Sequence, residues 1–289
     1  GFSTIDMDAM GSLHLGYVAS HGNTADLRYA IRDEDDWLIT DMEGTGELGN
    51  SSEPSMDLDS QGIPRFSYTL SVCTAGGCTP AGLIYAELGQ TGLLTYTVDA
   101  GSGNGLRSSL VIDGEDNPHI SYYDGGSLSL KYAFMDSMGW HTETVTATTL
   151  TTITASTHLQ LDDLGYPHIV YNHAGLRYAY QDQNGWHFAL VDGSAEVRSS
   201  ALALDSGGAA HVAYQESISN TLKYAILDQG SWITETITGM LTDGFISLML
   251  DATDVPYIAY HSLPEADLVL THRIESGWMH EIVESTGDV

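Results

Sequence analysis

Residues 108–145, SSLVIDGEDNPHISYYDGGSLSLKYAFMDSMGWHTETV, contain a pattern that recurs along the whole 289-residue chain. The pattern starts at an aspartate, here Asp113, which is followed nine residues later by Tyr122. We call these residues the anchor aspartate and the first tyrosine. The same spacing joins Asp8 to Tyr17, Asp59 to Tyr68, Asp162 to Tyr171, Asp205 to Tyr214 and Asp251 to Tyr260. One spacing found six times along the chain indicates six copies of a single structural unit.

Two further aromatic positions keep the same register. A second tyrosine recurs as Tyr29, Tyr85, Tyr132, Tyr178 and Tyr224, with Leu270 in the last copy. Eight residues after this position come Trp37, Trp140, Trp186, Trp232 and Trp278, with Leu93 in copy two. All five tryptophans of the chain thus occupy one repeat position, which favours packing over five separate binding sites. The step from the first tyrosine to the second varies from 7 to 17 residues, so length variation falls in one loop per copy.

Each copy contains four short runs rich in β-branched and aromatic residues, separated by turn residues. Four strands per repeat, repeated six times, are typical of a β-propeller. The sequence therefore predicts an all-β, six-bladed β-propeller of four-stranded blades that forms one domain over residues 1–289. The copies span approximately 3–43, 55–99, 108–145, 157–192, 200–238 and 246–284. Each copy is complete from its inner to its outer strand, which predicts that no strands are exchanged between the termini.

Several polar residues occupy repeat positions, which favours structural roles for them. The anchor aspartates precede turn residues and are predicted to cap the turn backbone rather than to bind calcium. Six residues after the anchor come His14, His119, His168 and His211, which we interpret as hydrogen-bonding elements of their blades. The cations that directly precede the second tyrosine are predicted to pair with acidic or carbonyl groups; they are Arg28, Lys131, Arg177 and Lys223.

Composition restricts the partners of the protein. Thirty-nine acidic and nine basic residues give a net charge of −30, which repels nucleic acid and anionic membrane surfaces. No apolar run is long enough to cross a membrane, so membrane insertion is not expected. The two cysteines, Cys73 and Cys78, flank a short glycine-containing loop and are predicted to form a disulfide. These features favour an extracellular or cell-surface location and a glycan or an extracellular protein as the partner.

The variable loops indicate where a ligand would bind. In a propeller blade, the start of the inner strand and the loop between strands two and three lie on the same face, which we call the variable-loop face. Loops that vary on a constant scaffold commonly carry binding residues. Arg107 and Arg198, each just before a Ser-Ser pair, are therefore candidate ligand-binding residues. So are His21, Tyr123, Asp124, His173 and His261, and the segment 73–78 belongs to the same face.

The repeat resembles a broad group of exported bacterial and archaeal propellers with Asp-box-like (sialidase-like, BNR-like) repeats. The resemblance rests on residues 162–171, DDLGYPHIVY, and 222–225, LKYA, and extends over nearly the whole chain. No tryptophan follows the anchor at the Asp-box spacing, so the likeness is to the wider group. The resemblance implies the propeller fold. The group also includes polysaccharide lyases that use histidine and tyrosine.

Two functional hypotheses follow from the sequence. The first is a noncatalytic recognition or scaffold propeller that binds a glycan or a protein through the variable-loop face. The alternative is a lyase or glycosidase acting on an acidic polysaccharide, in which Arg107 and Arg198 would hold carboxylates while His173 or Tyr123 transfers a proton. No cofactor is predicted, although a calcium ion is compatible with both hypotheses.

Overall fold

The computed structural model of the chain describes residues 3–21, 24–33, 36–42, 48–49, 54–74, 77–89, 92–101, 103–147, 157–193, 196–239, 241–262 and 267–284. The side chains of several strand-end residues lie outside this description, among them those of His21, Cys73 and Cys78. All structural statements below refer to the described residues.

The strands form six antiparallel sheets, and the predicted all-β, six-bladed propeller is confirmed. Blades 1 to 3 contain β1 (Ser3–Met7), β2 (Leu13–His21), β3 (Thr24–Asp33), β4 (Asp36–Asp41), β5 (Leu48–Gly49), β6 (Ser55–Leu58), β7 (Pro64–Thr74), β8 (Gly77–Gly89), β9 (Gly92–Ala100), β10 (Asn104–Ile112), β11 (Pro118–Asp124), β12 (Ser129–Asp136) and β13 (Gly139–Ala147). Blades 4 to 6 contain β14 (His158–Leu161), β15 (Pro167–Asn172), β16 (Leu176–Asp182), β17 (Gly185–Asp192), β18 (Val197–Leu204), β19 (Ala210–Glu216), β20 (Thr221–Asp228), β21 (Ser231–Gly239), β22 (Leu241–Leu250), β23 (Pro256–Ser262), β24 (Leu268–Ile274) and β25 (Gly277–Glu284).

Each blade is built from consecutive strands of the chain. Strands β1 to β4 form blade 1, where β5 adds a short extra pairing with β3, and strands β22 to β25 form blade 6. The prediction that no blade is completed by a strand from the other end of the chain is therefore confirmed for the described strands. The chain packs as two compact units, Gly1–Ile153 with blades 1 to 3 and Thr154–Val289 with blades 4 to 6. We call them the N-terminal and C-terminal units and describe each by itself.

The anchor aspartates close the turns between the first and second strands of the blades. In blade 4, Asp162 Oδ1 accepts the backbone N–H groups of Leu164 at 2.9 Å and Tyr166 at 2.8 Å. The other anchors bond the backbone two and four residues ahead in the same way; they are Asp8, Asp59, Asp113, Asp205 and Asp251. Because one oxygen of each anchor is committed to its own turn, the structural interpretation of this position is confirmed.

The recurrent tryptophans pack between neighbouring blades within each unit. Trp140 of blade 3 meets Tyr85 of blade 2 edge to face, with ring centroids 5.3 Å apart. In the C-terminal unit, Trp232 meets Tyr178 at 5.3 Å, and Trp278 meets Tyr224 at 5.1 Å. Such pairs contribute about 0.5–1.5 kcal/mol beyond the burial of their area. These three tryptophans therefore pack as predicted.

Candidate functional site

The repeated histidines join each anchor aspartate to the second tyrosine of the same blade. His211 Nε2 lies 3.3 Å from Asp205 Oδ2, and its Nδ1 is hydrogen-bonded to the hydroxyl of Tyr224. An ionised aspartate only accepts hydrogen bonds, so Nε2 carries the proton and the tyrosine O–H donates to Nδ1. His119 makes the same two contacts. At His14 and His168 the tyrosine hydroxyl is bonded to Nδ1, while Nε2 lies 3.5 Å from Asp8 and 3.6 Å from Asp162 without a hydrogen bond.

Burial makes these histidines unsuitable as surface ligands. His211 is only 3% exposed, and burial lowers its pKa, as it does the pKa values of His119 and His168. In blade 2 the position is taken by Arg65, which pairs with Asp59 at 2.6 Å and also with Glu87. The interpretation of the repeated histidines as internal hydrogen-bonding elements is confirmed.

The four cations before the second tyrosine are paired as predicted. Lys131 Nζ lies 2.9 Å from Asp99 of the preceding blade and 3.0 Å from Asp124. Lys223 Nζ likewise lies 3.1 Å from Asp192 of the preceding blade, which also accepts the hydroxyl of Tyr214. The arginines differ, because Arg28 pairs with Asp41 of its own blade at 2.7 Å and Arg177 Nε donates to the carbonyl oxygen of His173 at 2.6 Å.

Two predicted ligand-binding residues of the N-terminal unit are buried. Tyr123 is 1% exposed and therefore cannot present its ring to a ligand in this conformation. Asp124 is 6% exposed and accepts hydrogen bonds from Gly126, Ser127 and Lys131. Burial opposes ionisation of Asp124, but the bonds from Ser127 and then Lys131 lower its pKa to about 2. Both side chains are internal to the blade, and their contact with a ligand remains a prediction.

Arg107 has an unusual backbone on the same face. It takes a φ of 57°, in the left-handed region, at a place where the pairing of β10 with β11 shifts register. A bulge of this kind re-aims a side chain at the end of a sheet. Arg107 is partly buried and therefore remains a ligand-binding candidate.

The cysteine segment and His21 can be followed only through their backbone. Cys73 and Cys78 lie directly opposite each other in the pairing of β7 with β8, and His21 ends β2. Their side chains lie outside the described residues. The disulfide and a role for His21 therefore remain predictions.

A cationic cluster lies on the variable-loop face of the C-terminal unit. The loop after β15 reverses tightly, with φ of 48° at Ala174 and 110° at Gly175. A Cβ on Gly175 would lie 2.7 Å from the carbonyl oxygen of Asp192, so only glycine fits. This reversal turns the His173 carbonyl toward the Arg177 guanidinium.

Arg198 lies at the start of the neighbouring strand β18, next to a residue that this loop contacts. Asn172 Nδ2 donates to the carbonyl oxygen of Val197 at 3.2 Å, which fixes the start of β18 beside the loop. Arg198 is the next residue, it is exposed, and it lies where the pairing of β18 with β19 shifts register. We call His173, Arg177 and Arg198 the loop-face cluster. The sequence pointed to His173 and Arg198 but missed Arg177, because its repeat position is shared with three structural cations.

Burial and nearby charge change the pKa values of His173, in the cluster, and of Tyr171, which lies beside it. Burial, and then the nearby Arg177 guanidinium, lower the pKa of His173, so its imidazole is neutral at pH 7. Its Nδ1 is buried and has no hydrogen-bond partner within the described part of the chain. Burial raises the pKa of Tyr171, which is only 3% exposed. This tyrosine is therefore not positioned to exchange protons with a ligand.

The remaining predicted residue, His261, lies on the third blade of the C-terminal unit. It is exposed and pairs with Leu268 near the end of β23. The same end of the blade carries the start of β22, because Leu241 pairs with Ser262. His261 therefore remains a candidate on the variable-loop face.

Metal and membrane sites were also considered. Across the described ranges, no group of three or more histidine, cysteine, aspartate or glutamate side chains is arranged to hold a metal ion. Calcium binding remains a hypothesis. Nowhere in the same ranges does a helix have the length and apolarity needed to cross a bilayer.

Comparisons with known proteins support the propeller class. No protein-family model matches the sequence, and no curated protein matches it. The fold is similar to AofleA from Arthrobotrys oligospora, with a TM-score of 0.64 and 13% identity over 99% of this chain and 86% of that one. It is also similar to the polysaccharide lyase Uly1, with a TM-score of 0.54 and 10% identity over 98% and 81% of the two chains. A protein from Lactobacillus plantarum has a TM-score of 0.59 at 8% identity over 95% and 81%. At these identities the likeness shows the fold alone.

Proposed function

We propose that this protein is a noncatalytic recognition propeller that binds a carboxylate-bearing sugar through its variable-loop face. The observation that carries the proposal is the loop-face cluster. The chain has only nine lysines and arginines and a net charge of −30, yet Arg177 contacts the His173 loop and Arg198 directly follows Val197, whose carbonyl oxygen Asn172 of that loop contacts. Guanidinium groups bind carboxylates with paired, directional hydrogen bonds.

The charge of the whole molecule limits the size of this ligand. A long polyanion would extend from the cluster onto a strongly acidic surface, where it is repelled. A short oligosaccharide with one carboxylate sugar at the cluster avoids most of this repulsion. We therefore infer that a uronic acid at the end of a glycan is bound, rather than the middle of a polyuronate chain.

The state of the neighbouring groups favours binding over catalysis. Proton transfer needs an acid or base that reaches the substrate with a pKa near the working pH. Tyr171 is buried with a raised pKa, and the Nδ1 atom of His173 is buried as well. Tyr123, the tyrosine considered for the enzymatic alternative, is buried in the other unit. The likeness to Uly1 leaves the lyase as the competing function to be tested.

Titration calorimetry with a galacturonate disaccharide tests the proposal. Wild type should bind, and Arg198→Ala should weaken binding about tenfold or more, the loss expected for one charged hydrogen-bond donor. Arg28→Ala is the matched control, because it removes the same charge at a partly exposed pair with Asp41 and should bind as wild type does. Equal affinity in the two variants, or no binding by wild type, would reject the proposal.

A further inference from the structure

A second concave site lies between blades 5 and 6 of the C-terminal unit. This cleft has a volume of about 400 Å³ and is separate from the loop-face cluster, with which it shares no residue. Its walls include the apolar side chains of Ile226, Ile233 and Pro256. A mainly apolar cleft with a few convergent polar groups is the usual form of a small-molecule site.

An ion pair spans this cleft from one blade to the other. Arg273 on β24 of blade 6 pairs with Glu235 on β21 of blade 5. The arginine side chain is 43% exposed and the glutamate side chain 38%, so both reach solvent at the mouth of the cleft. The guanidinium carbon also lies 5.4 Å from the ring centre of Trp278, which restricts its orientation.

The pair is not required by the repeat. Arg273 lies opposite Trp278 in its blade, and the corresponding residue opposite Trp232 in blade 5 is Leu227. Glu235 lies opposite Tyr224, and the corresponding residue in blade 4 is Ala189. At the corresponding positions between blades 4 and 5 there are thus two apolar residues and no ion pair. Arg32 of blade 1 and Glu143 of blade 3 occupy the same two repeat positions, but among the described residues of the C-terminal unit the two charges meet only where blade 6 packs on blade 5.

The charged groups of the cleft already have protein partners, and its excess of one carboxylate disfavours an anionic ligand. Arg273 and Glu235 neutralise each other, and both oxygens of Asp254 are occupied by Ser206, at 2.9 Å and 2.6 Å. A charged ligand would have to separate the ion pair. A neutral ligand with hydroxyl groups can accept from the guanidinium and donate to the carboxylate while the pair stays intact.

The apolar wall restricts the ligand further. Ile226, Ile233 and Pro256 offer a surface that matches the C–H face of a sugar ring, while the ion pair matches its hydroxyl edge. We propose that this cleft binds a neutral pyranose. The site goes beyond the carboxylate-binding function proposed for the loop-face cluster and does not depend on it.

Binding of neutral methyl glycosides tests this inference directly. The probes are the methyl glycosides of glucose, galactose, mannose and N-acetylglucosamine, measured by saturation-transfer NMR and titration calorimetry. At least one should bind wild type with a Kd in the millimolar range or below. Arg273→Ala and Glu235→Gln should each weaken that binding about tenfold or more. Both side chains are partly exposed, and thermal unfolding would verify that the variants fold.

Two controls separate this site from the rest of the molecule. Glu143→Gln alters the residue opposite Tyr132, the same strand position in blade 3, and should leave glycoside binding within twofold of wild type. Arg198→Ala should likewise retain glycoside binding while it loses galacturonate binding. Failure of all four glycosides to bind wild type, or unchanged binding in Arg273→Ala and Glu235→Gln, would overturn the inference. Galacturonate binding would then still decide the loop-face proposal by itself.

Discussion

The carboxyl group of Asp57 is an ionisable group whose pKa is changed by burial in the folded protein. Two neighbouring inner strands of the N-terminal unit carry aspartates at the same repeat position, Asp6 on β1 and Asp57 on β6. Asp57 Oδ2 accepts the backbone N–H of Ile112 on the next inner strand at 2.6 Å. Burial, and to a smaller extent the nearby Asp6, raise the pKa of Asp57 to about 7. This carboxyl group therefore holds its proton well above the pH at which an exposed aspartate loses it.

Asp57 should make stability depend on pH in an unusual direction. A pKa raised by folding means that its stabilising effect is present at low pH and is lost as the pH rises from about 4 through about 7. We expect Asp57→Asn to raise the free energy of unfolding at pH 8 by about 1 kcal/mol or more and to change it little at pH 4. Urea unfolding at the two pH values measures this effect. Glu115→Gln, which removes an exposed charge, is the control, and an equal effect in both variants would contradict the prediction.

Single residues also show what sequence reasoning could reach. The anchor aspartates and their histidines were predictable because a repeated position has one environment in every blade. The burial of Tyr123 and Asp124 was not predictable, because their place beside a variable loop gives no sign of it. Asp124 turns back to cap its own loop and to bind Lys131, and only the folded chain shows that choice.

At the level of strands and blades, ion pairs formed by cations at one repeat position differ in how much they stabilise the fold. The side chains of Lys131, Asp99 and Asp124 are 18%, 16% and 9% exposed, so their charges are largely removed from water. Those of Arg28 and Asp41 are 33% and 64% exposed. Removing one partner from a buried pair leaves an uncompensated charge, whereas an exposed pair contributes little.

Replacing Lys131 and Arg28 by methionine should show whether a buried ion pair stabilises the fold more than an exposed one. Lys131→Met should lower the free energy of unfolding by about 2–3 kcal/mol, because Asp99 and Asp124 would lose the cation between them. Arg28→Met should lower it by less than about 0.5 kcal/mol. Chemical unfolding of both variants at pH 7 provides the comparison. Similar losses in the two would show that burial does not control these pairs.

The β7–β8 hairpin leads to a prediction about its cysteines. Directly opposed residues of an antiparallel pair have Cα atoms about 4.5–5.5 Å apart, within the span of a disulfide. Cys73 and Cys78 are opposed in this way, so we expect them to be joined. Intact mass after alkylation without reductant should show no added alkyl group, and two added groups would refute the bond.

The number of blades and their assembly from consecutive strands were predictable from the sequence. The cleft between blades 5 and 6 was not. The fixed steps between aspartate, tyrosine and tryptophan set the blades, because each step spans adjacent strands of one sheet. Arg273 and Glu235 lie 38 residues apart on different blades, and no local spacing connects them. Their pairing depends on how blade 6 packs on blade 5. Residue type alone gave no signal, because Arg32 occupies the same repeat position as Arg273 in blade 1.

For the molecule as a whole, the propeller scaffold is distinct from its binding surfaces. Repeated residues build the blades, while the loop-face cluster lies at a variable loop and the cleft lies where blade 6 packs on blade 5. An acidic surface with a few local cations fits recognition of small sugar units better than binding of extended polyanions. Function in this protein is therefore expected at the loops and blade junctions rather than in the strands of the scaffold.

Absence of lyase turnover is the corresponding prediction for the whole protein. We expect no unsaturated uronate product from polygalacturonate or alginate, with or without calcium, because the side chains of Tyr123 and Tyr171 are buried. Absorbance of the unsaturated product follows the reaction. Product formation that disappears in Arg198→Ala would establish the enzymatic alternative.

The most direct measurement is a crystal structure of the protein with a galacturonate disaccharide at a concentration that saturates wild type in calorimetry. Recognition at the loop-face cluster predicts the sugar carboxylate within hydrogen-bonding distance of the Arg177 or Arg198 guanidinium, with the sugar ring near His173. A disaccharide bound elsewhere, or an empty cluster at that concentration, would contradict the central claim.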